Sequence, residues 1–205
     1  MTQGTLYVIA APSGAGKTSL VKSLIENTVD ICVSISHTTR TMRLGEQNGV
    51  HYHFVTKDEF MDMLDQNLFL EHAQVFDNYY GTSQIWVMEQ LKKGIDVILE
   101  IDWQGAQQVR KLQPDCVGIF ILPPSKKTLE QRLHGRGQDS EDIIARRMRD
   151  AVDEISHYVE FDYLIVNDDF KKAVEALQHI IYSQRLTYRV QTQKLENLLI
   201  ELNAD

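Results

Sequence analysis

The sequence predicts an α/β fold: a parallel five-stranded sheet with helices packed on both faces. Three observations carry that expectation. Several strand-length segments are apolar at nearly every position, as strands buried on both faces must be. Helical patterns separate them, as the crossovers of a parallel sheet require. The first such segment runs straight into a glycine-rich turn that opens a helix.

Taken in order, Leu6–Ala10 reads as the first buried strand and Lys17–Glu26 as the helix after it. Val33–Ser36 is the candidate for a further strand. Ile95–Ile101 is a strand followed by a helix over Gln104–Lys111. Val117–Leu122 is a strand stopped by Pro123-Pro124, and Tyr163–Val166 completes the set. From Phe170 to Leu202 apolar residues recur at helical spacing without Pro or Gly, which predicts one long helix or two.

Two regions break this rhythm. Residues 36–83 hold strand-like pieces (Tyr52–Val55, Ala73–Phe76), a short helix near Lys57–Leu64 and many polar residues, the pattern of an inserted subdomain. Residues 125–158 are helical but interrupted by His134-Gly135-Arg136-Gly137-Gln138, the pattern of a helical lid. The core of this one domain is then 1–35, 84–124 and 159–205.

Composition narrows the partners. The chain has 205 residues, with 21 Lys+Arg against 29 Asp+Glu, a net charge of −8. That balance argues against a broad nucleic-acid surface, which needs many basic contacts, but leaves room for a small anion site. No apolar run is long enough to span a bilayer, and the N-terminus has no leader pattern. Cys32 and Cys116 make no disulfide framework and read as buried free thiols. The expectation is a soluble, cytoplasmic protein without nucleic-acid or membrane partners.

The sharpest local signal is Ala11-Pro12-Ser13-Gly14-Ala15-Gly16-Lys17-Thr18, placed between a buried strand and a helix. Gly14 and Gly16 let the backbone turn successive N–H groups inward on phosphate oxygens, and the helix N-terminus adds its dipole. Lys17 would set a point charge on the β- and γ-phosphates, and the Thr18 hydroxyl would ligate Mg²⁺. Ala11 stands where the strict phosphate-loop pattern has Gly, but the loop turns on the later glycines. No NKxD-type guanine motif is present, so a switch GTPase is disfavoured against a small-molecule kinase.

Beyond the loop, Thr38-Thr39-Arg40, Arg43, Glu46, Gly49, Tyr52 and Phe54 closely resemble the guanylate kinase signature. The resemblance continues through Phe69-Leu70-Glu71-His72-Ala73, Asn78-Tyr79-Tyr80-Gly81-Thr82, Asp102-Trp103-Gln104-Gly105, Leu122–Ser125, Arg132–Gly137 and Val166–Asp169, in family order over most of the chain. It implies ATP + GMP ⇌ ADP + GDP, with Mg²⁺, and GMP or dGMP as acceptor. The insert would bind GMP: Arg40 and Arg43 clamp its phosphate, with Tyr52 and Tyr80 donating hydroxyls. Arginine's planar fork suits a phosphate dianion.

The resemblance assigns guanine selection to Glu71, with Ser36 and Thr82. One carboxylate can accept both N1–H and the exocyclic amine of guanine, and adenine would leave it unpaired. Asp102, at the end of its strand, would contact GMP and a Mg²⁺-bound water, with Glu100 on the same strand face in support. Arg132, Arg136 and Arg147 would bring charge to the moving phosphoryl from the lid. Family spacing favours Arg147 over Arg146, and Asn167 resembles the family's adenine contact.

Other features read as structural. His51 and His53 share a strand face but lack a third metal ligand. Trp86 and Trp103 read as packing residues. Leu195, Leu198, Leu199 and Leu202 are expected to cover the core, with self-association into a homo-oligomer as the other use for that face. The rival functions are a kinase for a different small acceptor and a binding module that kept the fold but lost catalysis. The Glu71, Ser36 and Thr82 set speaks against the first. Lys17, Thr18 and the lid arginines speak against the second.

Overall fold

A computed structural model describes residues 3–75, 77–135 and 141–204. Its frame is set by β1 (Leu6–Ala10), whose five residues are all buried. Tyr7 and Ile9 point to one face of the sheet, and Leu6 and Val8 to the other. A phosphate-loop turn then leads into α1 (Lys17–Glu26), which packs Leu20, Val21 and Leu24 inward. β2 (Ile31–Val33) follows.

The chain then leaves this sheet and builds a second one. β3 (His37–Thr38), β4 (His53–Phe54), α2 (Lys57–Asp65), β5 (Phe69–Val75) and β6 (Asn78–Ser83) make a sheet in the order β4-β3-β6-β5, with β5 and β6 antiparallel. Phe60 of α2 stacks on Phe69 with ring centroids 4.6 Å apart. Gly81 makes that possible, because a Cβ there would lie 2.8 Å from the Phe69 ring.

The chain returns through α3 (Gln84–Lys92) to β7 (Asp96–Glu100), α4 (Trp103–Leu112), β8 (Val117–Leu122), α5 (Lys126–His134) and α6 (Glu141–Ser156). A short 3₁₀ turn, His157–Glu160, precedes β9 (Tyr163–Val166). α7 (Phe170–Arg185), α8 (Tyr188–Lys194) and α9 (Glu196–Leu202) end the fold. The main sheet has the order β2-β7-β1-β8-β9 with every pairing parallel. The crossovers leave β1 toward β2 on one side and continue to β8 and β9 on the other, and ligands of open α/β sheets collect at the carboxyl ends of strands where the order switches in this way.

The five parallel strands and the first helix agree with the sequence expectation, but only β1, β7 and β8 are buried along most of their length; β2 is half-buried, and Leu164 and Val166 of β9 are exposed. Four details differ. The edge strand is Ile31–Val33 rather than Val33–Ser36: Ser34 N–H makes the last bond to the Ile98 carbonyl, at 2.9 Å, and the chain then turns toward β3. β3, β6 and α3 were not expected, because β6 is polar and β3 spans two residues. Three helices, not one or two, follow β9: the Thr187 hydroxyl donates to the Gln184 carbonyl and the Gln191 amide to the Arg185 carbonyl, ending α7 without Gly or Pro. The strand expected at Ala73–Phe76 is β5, which starts earlier; Phe76 lies outside the described residues.

Two burial expectations are also corrected. Leu195, Leu198, Leu199 and Leu202 are exposed, because α8 and α9 turn away from the sheet and contribute no buried residue. Cys116 is buried, but Cys32, on the edge strand β2, is only half-buried.

The N-terminal edge of the sheet is pinned by one carboxylate. Asp96, 3% exposed, accepts from Thr5 N–H at 2.7 Å and from Arg185 Nε at 2.8 Å. Arg185 also donates to the carbonyls of Val29 and Asp30. Removing one member of a buried pair leaves an uncompensated charge. Asp96→Ala should therefore cost about 3 kcal/mol and lower Tm by roughly 10 °C in thermal unfolding. An unchanged Tm would contradict this pinning role.

Candidate active site

The Ala11–Thr18 loop joins β1 to α1 at the carboxyl edge of the sheet. Gly14 and Gly16 adopt φ of 91° and 95°, the left-handed region where a side chain is strained. At Gly16 a Cβ would also meet the Asn167 amide nitrogen at 2.5 Å. That amide donates to the Ala15 carbonyl at 2.7 Å. Arg132, from α5, donates to the same carbonyl at 3.3 Å and to the Asn167 carbonyl at 2.9 Å. The Ala15 carbonyl is thereby held, and the loop lines a cleft of about 320 Å³.

Five charged or hydroxyl side chains meet at this cleft. Lys17 Nζ donates to the Ile101 carbonyl at 3.0 Å. Burial pulls its pKa down, and Glu100, Asp102 and Glu154 oppose that shift. The Thr18 hydroxyl donates to Glu100 Oε2 at 3.1 Å. Glu154 of α6 accepts from the Ser13 backbone N–H at 3.1 Å. Asp102 lines the cleft and caps α4, accepting from Gly105 N–H at 2.8 Å.

Asp102 also links this cleft to a second group. Glu71, 6% exposed on β5, accepts from the Thr82 hydroxyl at 2.5 Å. Its other carboxylate oxygen lies against Gly105, where a Cβ would come within 3.1 Å. Burial is the main reason its pKa rises to about 7; the Thr82 bond lowers it and the Asp102 charge raises it further. Ser36 precedes His37, which pairs with Gly81 beside Thr82. Ser36, Glu71 and Thr82 thus come together across β3, β6 and β5.

The basic loop of the insert is arranged around Glu46. Its carboxylate accepts two bonds from the Arg40 guanidinium, at 2.7 and 3.0 Å, and one from the Arg43 backbone N–H at 2.7 Å. The Arg40 bond in particular holds its pKa near 2. Arg40 stands over the Tyr52 ring, 5.4 Å from its centroid, and Tyr52 and Tyr80 meet edge to face at 6.0 Å. Burial raises the Tyr52 pKa. Arg43 is exposed.

The lid residues fall into three groups. Arg132 turns back to brace the phosphate loop, a role that sequence reasoning had not given it. Arg147 is half-buried on α6, while Arg146 is exposed beside Asp150 at 3.9 Å. This favours Arg147 as the inward one. Arg136 lies outside the described residues. Asn167, expected to contact a base, is buried with its amide engaged on the loop.

Sequence reasoning missed the roles of Glu46 and Glu154. Glu46 belongs to the quoted signature, and its position three residues after Arg43 was the available signal. Glu154 is one acid among several on a charged helix, which carries no signal. The residues read as structural behave so. His51 accepts from Gln47 N–H and His53 stacks on His37 at 4.7 Å. Trp103 stacks on His157, and Trp86 packs against the second core cluster. Among the described residues, no group of three His, Cys, Asp or Glu is arranged to hold a metal ion, and no helix is long and apolar enough to cross a membrane.

Comparison with known proteins fits this geometry. The family model for guanylate kinase matches residues 3–184. A guanylate kinase of Photobacterium profundum is 57% identical over 207 residues, covering all of both chains. One of Saccharophagus degradans is 60% identical over 199 residues, covering 97% of each. Among solved structures, guanylate kinase from Anaplasma phagocytophilum superposes with a TM-score of 0.77 at 31% identity, over 96% of each chain.

Glu71 yields a prediction that needs no substrate. Its carboxyl ordinarily titrates at 4.5 and in the fold at about 7. Between those values the folded state keeps a proton that the unfolded chain has lost, so stability falls as pH rises through that window. At 1.36 kcal/mol per unit the full penalty above pH 7 is about 3 kcal/mol. Glu71→Gln should therefore raise Tm at pH 8 and change it little at pH 5. Equal shifts at both pH values in thermal melts would contradict the desolvated carboxylate.

Proposed function

The chain belongs to the guanylate kinase family and transfers the γ-phosphoryl of ATP to GMP, and we propose that it does so by direct in-line displacement, with one nucleotide on either side of Asp102. The observation that carries this reading is Asp102 itself. It lines the phosphate-loop cleft and acts electrostatically on Glu71.

On the ATP side, the loop N–H groups and Lys17 receive the β- and γ-phosphates. Burial of Lys17 strengthens its charge toward a phosphate, because less water screens it. Arg132 and Asn167 contribute by keeping the loop in shape. Arg147, and Arg136 by family resemblance, neutralise the moving group from the lid.

Mg²⁺ fits the oxygen set beside the loop. The Thr18 hydroxyl would be one ligand, and Glu100 and Asp102 would hold waters around it. Mg²⁺ keeps most of its waters and takes its remaining ligands from phosphates, so an all-protein cage is not needed. Its chemistry there is charge neutralisation between the β- and γ-phosphates.

On the acceptor side, Glu71 would accept the N1–H and 2-amino donors of guanine, with Ser36 and Thr82 beside it. GMP and dGMP present the same guanine edge to these residues, so dGMP is accepted as well. Arg40, Arg43, Tyr52 and Tyr80 hold the phosphate. Glu46 orders the Arg40 guanidinium and fixes the backbone at Arg43, so the loop that carries both arginines is set before the phosphate arrives. The core is 1–35, 84–124 and 159–205, the insert 36–83 carries GMP, and the segment 125–158 is the lid. The enzyme works in the cytoplasm, in keeping with its two free thiols.

Phosphoryl transfer asks mainly for alignment and charge, so loss of Lys17 should strike the rate. Lys17→Ala should lower kcat on the order of 10³-fold while GMP binding survives; lost GMP binding with an unchanged rate would refute the assignment. Selectivity is the second check. In a coupled ADP-release assay with GMP, AMP, UMP and dTMP, GMP should exceed AMP in kcat/KM by on the order of 10⁴. Equal turnover of AMP would overturn the guanine role of Glu71.

A further inference from the structure

The phosphate loop already holds an anion, and it comes from the chain itself. Glu154 Oε2 accepts from Ser13 N–H at 3.1 Å and lines the same cleft as Lys17, Thr18 and Asp102. Lys17 attracts this carboxylate, while Asp102 and Asp150 repel it. A carboxylate on a phosphate-loop N–H meets the same donor that a phosphate oxygen would use. The two cannot share it.

Glu154 also sits where its movement has consequences. It lies seven residues beyond Arg147 on α6, so both side chains leave the same side of one 16-residue helix. Ile144, Met148 and Ala151 of that helix pack against Leu129 and Leu133 of α5. α5 in turn braces the loop through Arg132. Glu154 and Arg147 are therefore carried by one helix whose packing leads back to the loop through α5.

We propose that Glu154 is a built-in competitor of ATP: its carboxylate occupies the phosphate loop at Ser13 until the triphosphate displaces it, which ties ATP binding to the setting of α6 and Arg147. This rests on the reading of the loop as the ATP site. The carboxylate lowers apparent ATP affinity by the fraction of time that it holds the loop. If the loop is free about a tenth of the time, freeing it tightens binding about tenfold. The same competition weakens the hold of an ATP that arrives without a competent lid arrangement.

The test is equilibrium titration of the intact protein with a non-hydrolysable ATP analogue and Mg²⁺, without GMP. The variants are Glu154→Gln and Glu154→Ala, with Asp153→Asn as a neighbouring exposed charge and Lys17→Ala as a check on the loop. The expected result is about three- to tenfold tighter binding for both Glu154 variants and no gain for Asp153→Asn. A gain in affinity is not what a damaged fold produces, so the outcome stands apart from any loss of stability. Unchanged or weaker binding by the Glu154 variants overturns the proposal, as does an equal gain with Asp153→Asn. If wild type and Lys17→Ala bind the analogue equally well, the ATP-site reading itself fails, and the proposal fails with it.

Discussion

The position of β1 between β7 and β8 is the constraint on which the site depends. Parallel pairing runs from β7 through β1 and β8 to β9, so the chain segments that follow these strands gather at one edge. The loop after β1 carries Lys17 and Thr18, the segment after β7 carries Asp102, and the segment after β9 carries Asn167. These residues are far apart in sequence, and no local propensity could bring them together. The continuous apolar character of the central strands stabilises that alignment, because β7, β1 and β8 are covered on both faces.

Charge is then arranged on this edge in two opposite ways. The groups that would meet phosphate carry internal partners: Arg40 with Glu46, and the loop N–H of Ser13 with Glu154. Each partner holds its group in place and must be shared or exchanged when a phosphate takes the position. Glu71 is the reverse case. It is a buried carboxylate whose one strong bond is to Thr82, and it gains from any ligand that brings two adjacent donors. On the proposed reading, phosphate recognition would exchange one acceptor for another, whereas base recognition would satisfy a group that the fold leaves short of donors. Chemical selectivity would then lie at Glu71 and affinity at the arginines and the loop.

Much of the fold was legible because its signals are local. Apolar runs marked Leu6–Ala10, Val117–Leu122 and Tyr163–Val166 to the residue, and the glycine pattern marked the loop. The second sheet was less legible. β6 is polar because, on the proposed reading, it would supply Tyr80 and Thr82 to a site, so its sequence would answer to that site rather than to a core. The helix end after Arg185 was hidden because side chains of Thr187 and Gln191, not Gly or Pro, take over the carbonyls of Gln184 and Arg185. In the site, residue identity gave the candidates, but their partners were out of reach. Neither the bracing of Ala15 by Arg132 and Asn167 nor the reach of Glu154 to Ser13, 141 positions away, leaves a trace in spacing.

The account stands most directly on Glu71 as a desolvated carboxylate that guanine completes. The carboxyl carbon of Glu71 can be followed by NMR in protein labelled at glutamate, through a pH titration with and without saturating GMP. Without GMP its midpoint should lie at about 7. With GMP, two donors favour the ionised form, and the midpoint should fall by about two units or more. A midpoint that stays in place when GMP is bound would contradict the assignment of guanine to this carboxylate.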